Sequence, residues 1–427
     1  MLTIPELVGL DSHCGSIRIP PELGVPLTER VRKIIDTEPF RRLAKMTQVG
    51  LVSLVYPAAR HTRFEHSLGV YRLALLLLKR LSHVPDFTRN VTRHDAERLI
   101  VTALLHDVGH YPFCHLIEDI QIEGLPHHEE LAAASIGHSI EQSELAELLR
   151  KDWNLEPIEV INLLNGKTES PADRLLASIL SGPIDIDKMD YLFRDSLHAG
   201  VPYGRQLDQE RLIGSLCLNA AGDGLAITEK GKTAAELMIF ARYVMFSEVY
   251  WHHAVRSATA MLQRLFSELY LAGNIEFSHF VRLSEEEAIR LLLETSKGTP
   301  MEQLAQGLFG TKRNIYKRVA GFSILEQPEM YRGLTRKPYR QLCEQADQYC
   351  TEALASPLSV LIDAPPVEKE IEIKIDVYYP KSNQYRALED LSPVVRAMAR
   401  EQFDDYAKRV RIFAHPDVTA AVQKLIH

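Results

Sequence analysis

Cysteine is scarce in this 427-residue chain, which has five scattered cysteines and no C-x-x-C pair. Such usage excludes a disulfide framework, argues against a structural zinc module and favours a reducing compartment. Positive charge is not in excess, because 49 lysines and arginines are outnumbered by 57 acidic residues and the formal charge is −8. The chain as a whole is therefore not an electrostatically driven nucleic-acid binder, although a local basic pocket is compatible with this balance and leaves nucleic acid open as a partner.

Long apolar runs are also missing. The longest dense run, residues 73–78, is flanked by Arg72 and Lys79 and is too short to cross a bilayer. The N-terminus has neither the basic start nor the apolar core of a secretory signal. We therefore expect a soluble, cytoplasmic protein without a membrane partner.

Apolar residues at helical spacing dominate the sequence. It predicts helices over residues 65–82, 95–108, 128–149, 157–164, 171–196, 232–272, 285–295 and 336–356. Short strands are predicted around residues 15–20 and across 215–228. Near the C-terminus, the alternation from Ile371 to Val377 predicts a half-buried strand, Ser392-Pro393 begins a helix to about residue 408, and residues 409–414 predict a second strand.

These patterns predict a mainly α fold, with a helical core, short β-hairpins and a small C-terminal α+β subdomain. Four segments follow from them. Residues 1–50 form an N-terminal segment, 51–200 the core, 201–356 a helical extension, and 367–427 the C-terminal subdomain.

Histidine is concentrated in one part of the chain, since ten of the 17 histidines lie between His61 and His138. His66 begins one predicted helix, His106-Asp107 ends another, and Asp187 lies in a later helical segment. Imidazoles and carboxylates from three packed helices can surround one divalent cation and leave positions open for water and a phosphate oxygen. A cation bound in this way lowers the pKa of its water and polarises a phosphoryl group.

The longer strings around these residues resemble one family. They are HTRFEHSLGV (61–70), LLHDVGHYPFCH (104–115), HHEE (127–130) and IDIDKMDYLFRDSLHAG (184–200). They are similar to the H…HD…D signature of the HD-domain metal-dependent phosphohydrolases, and in detail to the deoxynucleoside triphosphate (dNTP) triphosphohydrolases, which include the sterile-alpha-motif and HD-domain enzyme and bacterial relatives. The resemblance covers roughly residues 15–260 and implies an HD-domain helical core. It also implies that the extension 201–356 completes the substrate pocket.

The resemblance implies roles for individual residues. His66, His106, Asp107 and Asp187 match the metal ligands. Five residues match the catalytic positions, among them an arginine that grips the α-phosphate and histidines that can protonate the leaving oxygen: Arg63, His110, His115, His128 and Glu129. The alternative interpretation makes Arg63 a structural partner of Glu65 or Glu129, and His110 and His115 hydrogen-bonded core histidines.

Residues that face the sugar, its 3′-hydroxyl or the phosphates are implied in the same way. They are Gln48, Val49, Lys188, Tyr191, Asp195 and Tyr250. Glu118 falls where the family has a further acidic residue. Arg41 and Ala44 stand where the eukaryotic enzyme binds an activating guanine nucleotide, which argues against activation through that site.

The family implies hydrolysis of a dNTP, with dGTP among the candidates, to a deoxynucleoside and triphosphate. It implies one divalent ion per chain (Mn, Mg, Fe, Zn or Ni), a homo-oligomer between dimer and hexamer, and room for a nucleotide effector. Two alternatives remain open. One is an HD-type phosphodiesterase, 5′-nucleotidase or nuclease with a second metal on His110, His127 and His128, and the other is a nucleotide-sensing regulator.

Overall fold

The structure is a computed structural model that describes residues 3–12, 15–21, 23–137, 143–364, 374–398 and 407–426. Helices predominate, as predicted. The first twelve helices are α1 (Pro5–Gly9), α2 (Glu29–Ile35), α3 (Glu38–Arg42), α4 (Arg63–Leu81), α5 (Pro85–Asn90), α6 (Arg93–Leu105), α7 (Cys114–Glu118), α8 (His128–Ile136), α9 (Glu144–Leu148), α10 (Pro157–Leu164), α11 (Pro171–Leu180) and α12 (Ile186–Ala199).

Eleven further helices follow in the described part of the chain. They are α13 (Gln209–Ser215), α14 (Lys232–Met245), α15 (His253–Leu271), α16 (Phe277–Phe280), α17 (Glu285–Ser296), α18 (Glu302–Phe309), α19 (Pro328–Thr335), α20 (Tyr339–Glu352), α21 (Leu388–Leu391), α22 (Pro393–Ala397) and α23 (Thr419–Ile426). No helix among the described residues has the length and apolar character needed to span a membrane.

The strands are short and belong to three small sheets. They are β1 (Ser16–Ile19), β2 (Leu23–Pro26), β3 (Leu216–Leu218), β4 (Leu225–Thr228), β5 (Lys317–Phe322), β6 (Val360–Asp363), β7 (Asp376–Tyr379), β8 (Gln384–Ala387) and β9 (Val410–Ala414). β1 and β2 form a hairpin, a second sheet has the order β3-β4-β7-β8, and a third has the order β5-β9-β6. The C-terminal strands therefore pair with strands from earlier in the chain.

Three predicted helices are interrupted. The run 171–196 divides into α11 and α12 around Gly182-Pro183, and the side chain of Asp185 caps the new helix by accepting from the Lys188 N–H at 2.7 Å. The run 232–272 divides into α14 and α15 after a π-helical turn, Phe246–Tyr250. The run 128–149 ends its first helix at Gly137, which has a φ of 112°.

The strands predicted around 15–20, 215–228 and 409–414 are confirmed. Near the predicted strand 371–377, Ile375 and Val377 are buried and β7 begins at Asp376, whereas residues 371–373 lie outside the described residues. The predicted helix 392–408 begins as α22, and residues 399–406 also lie outside the description. The division into four segments stays a prediction.

Packing around α4 positions the site. This helix lies against both α6 and α12, and its residues Leu75, Leu77 and Leu78 are fully buried. These buried apolar residues hold the axis of α4 in place, because moving the helix would open cavities in a close-packed core. The N-terminal end of α4, the C-terminal end of α6 and the first turn of α12 meet on one side of this core.

Candidate metal centre and active site

Local signals place the predicted metal ligands where three helix ends meet. The Thr62 hydroxyl caps α4 by accepting from the Glu65 N–H at 3.3 Å, so that His66 lies in the first turns of that helix. His106 follows directly after the last residue of α6, and Asp187 is the second residue of α12. Three segments that are distant in the sequence therefore present side chains to one place.

The four predicted ligands converge. Nε2 of His66 lies 3.0 Å from Oδ1 of Asp187 and 3.1 Å from Nε2 of His106. Nε2 of His106 lies 3.4 Å from Oδ1 of Asp107. Ligand atoms about 2.1 Å from a six-coordinate ion and at right angles to one another are about 3 Å apart. The donor set and its spacing therefore fit a divalent cation.

Hydrogen bonds on the far side of each imidazole orient the ring. Nδ1 of His66 lies 2.8 Å from Oδ2 of Asp190, and Nδ1 of His106 lies 2.9 Å from the Ala103 carbonyl oxygen. Each Nδ1–H therefore donates outward and leaves Nε2 free to bind a metal. Burial disfavours a charged imidazole at His66, but hydrogen bonds with Asp187 and Asp190 outweigh it and raise the pKa of His66 to about 10. The raised pKa reflects the negative charge of these two carboxylates, and a bound cation would take the place of the proton on Nε2 of His66.

A cavity of about 550 Å³ opens from this centre. Every predicted site residue except Lys188 and Glu129 lines it. The lining includes the four metal ligands together with Arg63, His110, His115, His128, Gln48, Val49, Tyr191, Asp195 and Tyr250. The residues named from scattered strings of the sequence therefore share one enclosed space.

Arg63 pairs with the metal centre itself. Its Nη1 lies 2.9 Å from Oδ2 of Asp107, and both side chains are buried. Burial alone would raise the pKa of Asp107, but the nearby His110, His106 and Arg63 hold it well below its usual range. Asp107 is therefore ionised, with one oxygen toward Arg63 and the other close to the histidines.

Three histidine rings pack beside Asp107 on the same wall of the cavity. The ring centroid of His110 lies 4.8 Å from that of His115 and 4.2 Å from that of His128. Burial and the charge of Arg63 lower the pKa of His110 well below its ordinary value, so this ring is neutral. Burial also opposes a proton on His128, but the hydrogen bond with Glu118 outweighs it and raises the pKa of His128.

Glu118, rather than Glu129, makes the closer contact with His128. Oε2 of Glu118 lies 3.0 Å from Nδ1 of His128, and Oε1 accepts from the His128 backbone N–H at 2.7 Å. The nearest oxygen of Glu129 is 3.5 Å from the same nitrogen, and its side chain is 52% exposed. The carboxylate that orients His128 thus comes from α7.

The opposite part of the cavity contains groups suited to hydroxyls. The Tyr250 hydroxyl donates to Oδ2 of Asp195 at 2.5 Å, and Nε2 of His61 lies 2.8 Å from Oδ1. Oε1 of Gln48 is buried and has no hydrogen-bond partner among the described residues. Because buried polar atoms are normally paired, this oxygen is suited to a donor on a ligand.

Lys188 is not brought into the cavity. Its ammonium pairs with the buried carboxylate of Asp185, one helical turn earlier. That contact satisfies Lys188 beside the cap of α12, at a distance from its predicted phosphate partner. The predicted role of Lys188 therefore has no support from its position.

Sequence reasoning missed two residues that belong to this site. Asp190 orients His66, and its signal was the spacing of three residues from Asp187, which places both near one side of α12. Cys114 lies close to three histidines, and its signal was its position between His110 and His115. Neither residue stood out because a single carboxylate or thiol has no specific meaning without its neighbours.

Two family models match the chain. The HD domain matches residues 63–195, and the HD associated region matches residues 207–427. Together they include the helices of the metal centre and the C-terminal sheets.

Similar proteins come from distant organisms. An uncharacterised protein of Methanocaldococcus jannaschii is 31% identical over 375 residues, which are 87% of this chain and 73% of that protein. The deoxynucleoside triphosphate triphosphohydrolase SAMHD1 homolog of Dictyostelium discoideum is 29% identical, over 68% of this chain and 57% of that protein. The chain thus spans little more than half the length of the latter. A crystal structure of a hypothetical protein from Aquifex aeolicus matches 96% of this chain and 99% of its own, with a TM-score of 0.75 and 27% identity.

Proposed function

The chain belongs to the HD-domain phosphohydrolase family, and from that premise we propose that it hydrolyses dNTPs, with dGTP among them, to a deoxynucleoside and inorganic triphosphate. The observation that supports this most directly is the convergence of His66, His106, Asp107 and Asp187 beside a cavity lined by an arginine and three histidines. The named dNTP triphosphohydrolase among the relatives supports the substrate class.

The four ligands would hold one divalent cation, of which Mn, Mg, Fe, Zn and Ni are candidates. When bound, such an ion lowers the pKa of a water molecule and withdraws charge from a phosphoryl group. Two imidazoles and two carboxylates suit several of these ions. The chain itself contributes the orientation of the rings through Asp190 and the Ala103 carbonyl.

Arg63 supplies positive charge at the point where the α-phosphate would lie. Attack of water on the α-phosphorus builds negative charge on its oxygens, which a guanidinium held in place stabilises without reorganising. The contact with Asp107 fixes Arg63 next to the metal ligands. Arg63 is therefore placed to contact the phosphoryl group that reaches the cation, and the resemblance to the dNTP triphosphohydrolases implies that this group is the α-phosphate.

His128 is the proposed proton donor. In the reaction, the water oxygen forms a bond to the α-phosphorus, the bond to the 5′ oxygen breaks, and that oxygen leaves with a proton. Glu118 raises the pKa of His128 and so keeps a proton available near neutral pH. His110 is held neutral by burial and Arg63, so it is suited to contact the substrate or to accept a proton.

The sugar end of the cavity supports a deoxyribose. Asp195, already held by Tyr250 and His61, can accept from a 3′-hydroxyl. Gln48, which lines the same cavity, offers its unpaired oxygen to a second donor. Val49 lines the same cavity and presents an apolar surface where a ribose 2′-hydroxyl would lack a partner. Phe246 and Tyr250 reach this end from the segment 201–356, which supports the predicted role of that extension.

Assembly and regulation remain part of the proposal. We expect a homo-oligomer between dimer and hexamer, and a nucleotide effector outside the catalytic cavity. Light scattering on the purified chain, with and without each dNTP, measures the mass of the oligomer. Turnover assays under the same conditions test for an effector. A monomer whose mass and turnover respond to no nucleotide would contradict them.

Product analysis tests the activity. We expect purified protein with Mn²⁺ or Mg²⁺ to convert dNTPs to deoxynucleoside and triphosphate, and Asp107→Asn to abolish this conversion. Asp417→Asn, at an exposed surface carboxylate, is the matched control. Release of only dNMP or dNDP would refute the triphosphohydrolase. Turnover of cyclic dinucleotides or single-stranded DNA in its place would favour the phosphodiesterase or nuclease.

A further inference from the structure

A second cluster of metal-binding side chains lies beside the first centre. His110, Cys114, His115 and His128 each offer one ligand atom, and these atoms all lie within 4.8 Å of one another. His110 comes from the turn after α6, Cys114 and His115 begin α7, and His128 begins α8. The cluster shares none of its members with His66, His106, Asp107 and Asp187.

The imidazoles of this cluster are oriented as metal ligands are. Nδ1 of His110 lies 3.2 Å from the Asp107 carbonyl oxygen, and Nδ1 of His128 lies 3.0 Å from Glu118. Hydrogen bonds from Nδ1 fix the tautomer and leave the lone pair of Nε2 directed away from the backbone or carboxylate. Glu118 therefore has the relation to His128 that Asp190 has to His66.

The spacing fits a tetrahedral ion. Nε2 of His110 lies 3.1 Å from Nε2 of His115. Two nitrogens bound to zinc at about 2.0–2.1 Å in a tetrahedral site are about 3.3 Å apart. Without an ion, two imidazole nitrogens at this distance can share only one proton. A small cation that accepts both lone pairs satisfies the two rings together.

The ligand types differ between the two centres. The first centre combines imidazoles with carboxylates, which also suit hard ions, whereas this cluster has a thiol and imidazoles alone, which favour softer ions such as Zn²⁺. Cys114 is 1% exposed, whereas the side chain of His115 is 59% exposed. An ion can therefore enter past His115 and meet a buried sulfur.

We propose that His110, Cys114, His115 and His128 form a second, zinc-binding site. Binding releases two protons to solvent, one from the Cys114 thiol, which becomes a thiolate, and one from the protonated His128 ring, which becomes a neutral ligand. His127 is not part of the site, since it does not belong to the group of side chains whose ligand atoms all lie within 4.8 Å of one another. The second metal predicted on His110, His127 and His128 is thus reassigned to a different set.

A consequence follows for turnover, and this consequence, unlike the binding, rests on the proposed function. His128 cannot donate a proton while its nitrogen holds an ion. Excess Zn²⁺ is therefore expected to inhibit the enzyme when Mn²⁺ occupies the first centre. The inhibition should weaken when Cys114 is replaced, because the site then loses its softest ligand.

Cobalt spectroscopy tests the binding independently of activity. We expect about two Co²⁺ per chain in the wild type and about one in Cys114→Ser, with loss of the near-ultraviolet thiolate-to-cobalt absorption. Cys217→Ser, at a cysteine outside the cavity lining, should retain both ions and the absorption. Asp187→Asn should weaken the first ion and keep the thiolate signal.

A second variant distinguishes loss of the ion from misfolding of Cys114→Ser. His115→Ala changes an exposed side chain and should lower affinity at this site by about tenfold or more, while the first ion stays bound. A wild type with one ion per chain, or a thiolate absorption that persists in Cys114→Ser, would overturn the proposal. Zinc that inhibits wild type and Cys114→Ser equally would refute the regulatory consequence alone.

Discussion

Nδ1 of His66 lies 2.8 Å from Oδ2 of Asp190, on the side of the ring that faces away from the metal centre. Both oxygens of Asp190 also accept from Arg194, each at 2.7 Å. Arg194 in turn contacts Glu65, 2.7 Å away. This buried chain of charged groups holds the imidazole in one orientation, so that Nε2 faces Asp187. Asp190 is therefore a positioning residue for the metal ligand.

Asp190→Asn should weaken metal binding. Removing the charge behind a ligating histidine lowers its basicity and loosens its orientation, which typically costs 10- to 100-fold in affinity. Competition with a chelating dye measures the Mn²⁺ affinity. Glu129→Gln, at an exposed carboxylate that contacts a different histidine, is the matched control. Equal affinities in wild type and Asp190→Asn would show that the hydrogen bond does not support the ligand.

The same residue should make the metal-free protein sensitive to acid. Burial opposes ionisation of Asp190, but Arg194 and His66 outweigh it and lower its pKa from 3.8 to about 2. Because the folded pKa is depressed, the stabilisation is full above the ordinary pKa and is lost as the pH falls through about 2. The free-energy difference between wild type and Asp190→Asn should shrink by about 2 kcal/mol from pH 5 to pH 2. Urea titrations at several pH values measure it, and a constant difference would contradict the assignment.

Glu118→Gln should move the pH dependence of catalysis. Glu118 raises the pKa of His128, so a proton donor at His128 stays protonated to higher pH than an ordinary histidine. The neutral amide removes this support, and the alkaline limb of the kcat profile should move to lower pH. Glu130→Gln, at an exposed carboxylate on α8, the helix that carries His128, is the control. An unchanged alkaline limb would assign the proton to another group.

Local patterns predicted most helices because their apolar positions repeat every three to four residues. The helix predicted over 285–295, for example, is α17, whose first turn is closed by a Ser284–Glu287 capping box. They failed where backbone chemistry intervenes. The predicted helix 171–196 continues in its apolar period across Gly182-Pro183, so periodicity alone does not reveal the break. The π-helical turn before α15 likewise leaves no periodic signal in the sequence.

The convergence of His66, His106-Asp107 and Asp187 could be predicted from the sequence because these residues belong to a specific spaced motif, and their role as metal ligands stays a prediction. The acidic partner of His128 could not be predicted in this way. Glu129 is the neighbour of His128 in the sequence, whereas Glu118 reaches His128 only because α7 packs beside α8. The motif position of Lys188 predicts a phosphate contact, which stays a prediction, but it does not reveal that the ammonium pairs with the Asp185 carboxylate. Such choices depend on tertiary contacts that a linear pattern does not contain.

Tyr250→Phe should impair substrate binding at the sugar end. The Tyr250 hydroxyl donates to Asp195, and its loss leaves the carboxylate free to turn from the position that accepts the 3′-hydroxyl. A hydrogen bond to a charged group contributes about 1.5–3 kcal/mol, which corresponds to about a 10- to 100-fold loss in kcat/KM for dGTP. Tyr378→Phe, outside the cavity lining, is the control. A 3′-deoxy substrate analogue should lose less on the variant than dGTP does, and equal losses would separate Tyr250 from the 3′-hydroxyl.

Metal binding should stabilise the folded chain through the four ligands. An ion that binds only the folded state adds about 2.7 kcal/mol when its free concentration is a hundredfold above its dissociation constant. The melting temperature of the chelator-treated wild type should therefore rise as Mn²⁺ is added. His106→Ala removes one of two imidazoles whose Nε2 atoms lie 3.1 Å apart, so its melting temperature should respond far less. His94→Ala, at a half-exposed histidine on the same helix, should respond as the wild type does. Equal responses in all three proteins would place the stabilising ion elsewhere in the chain.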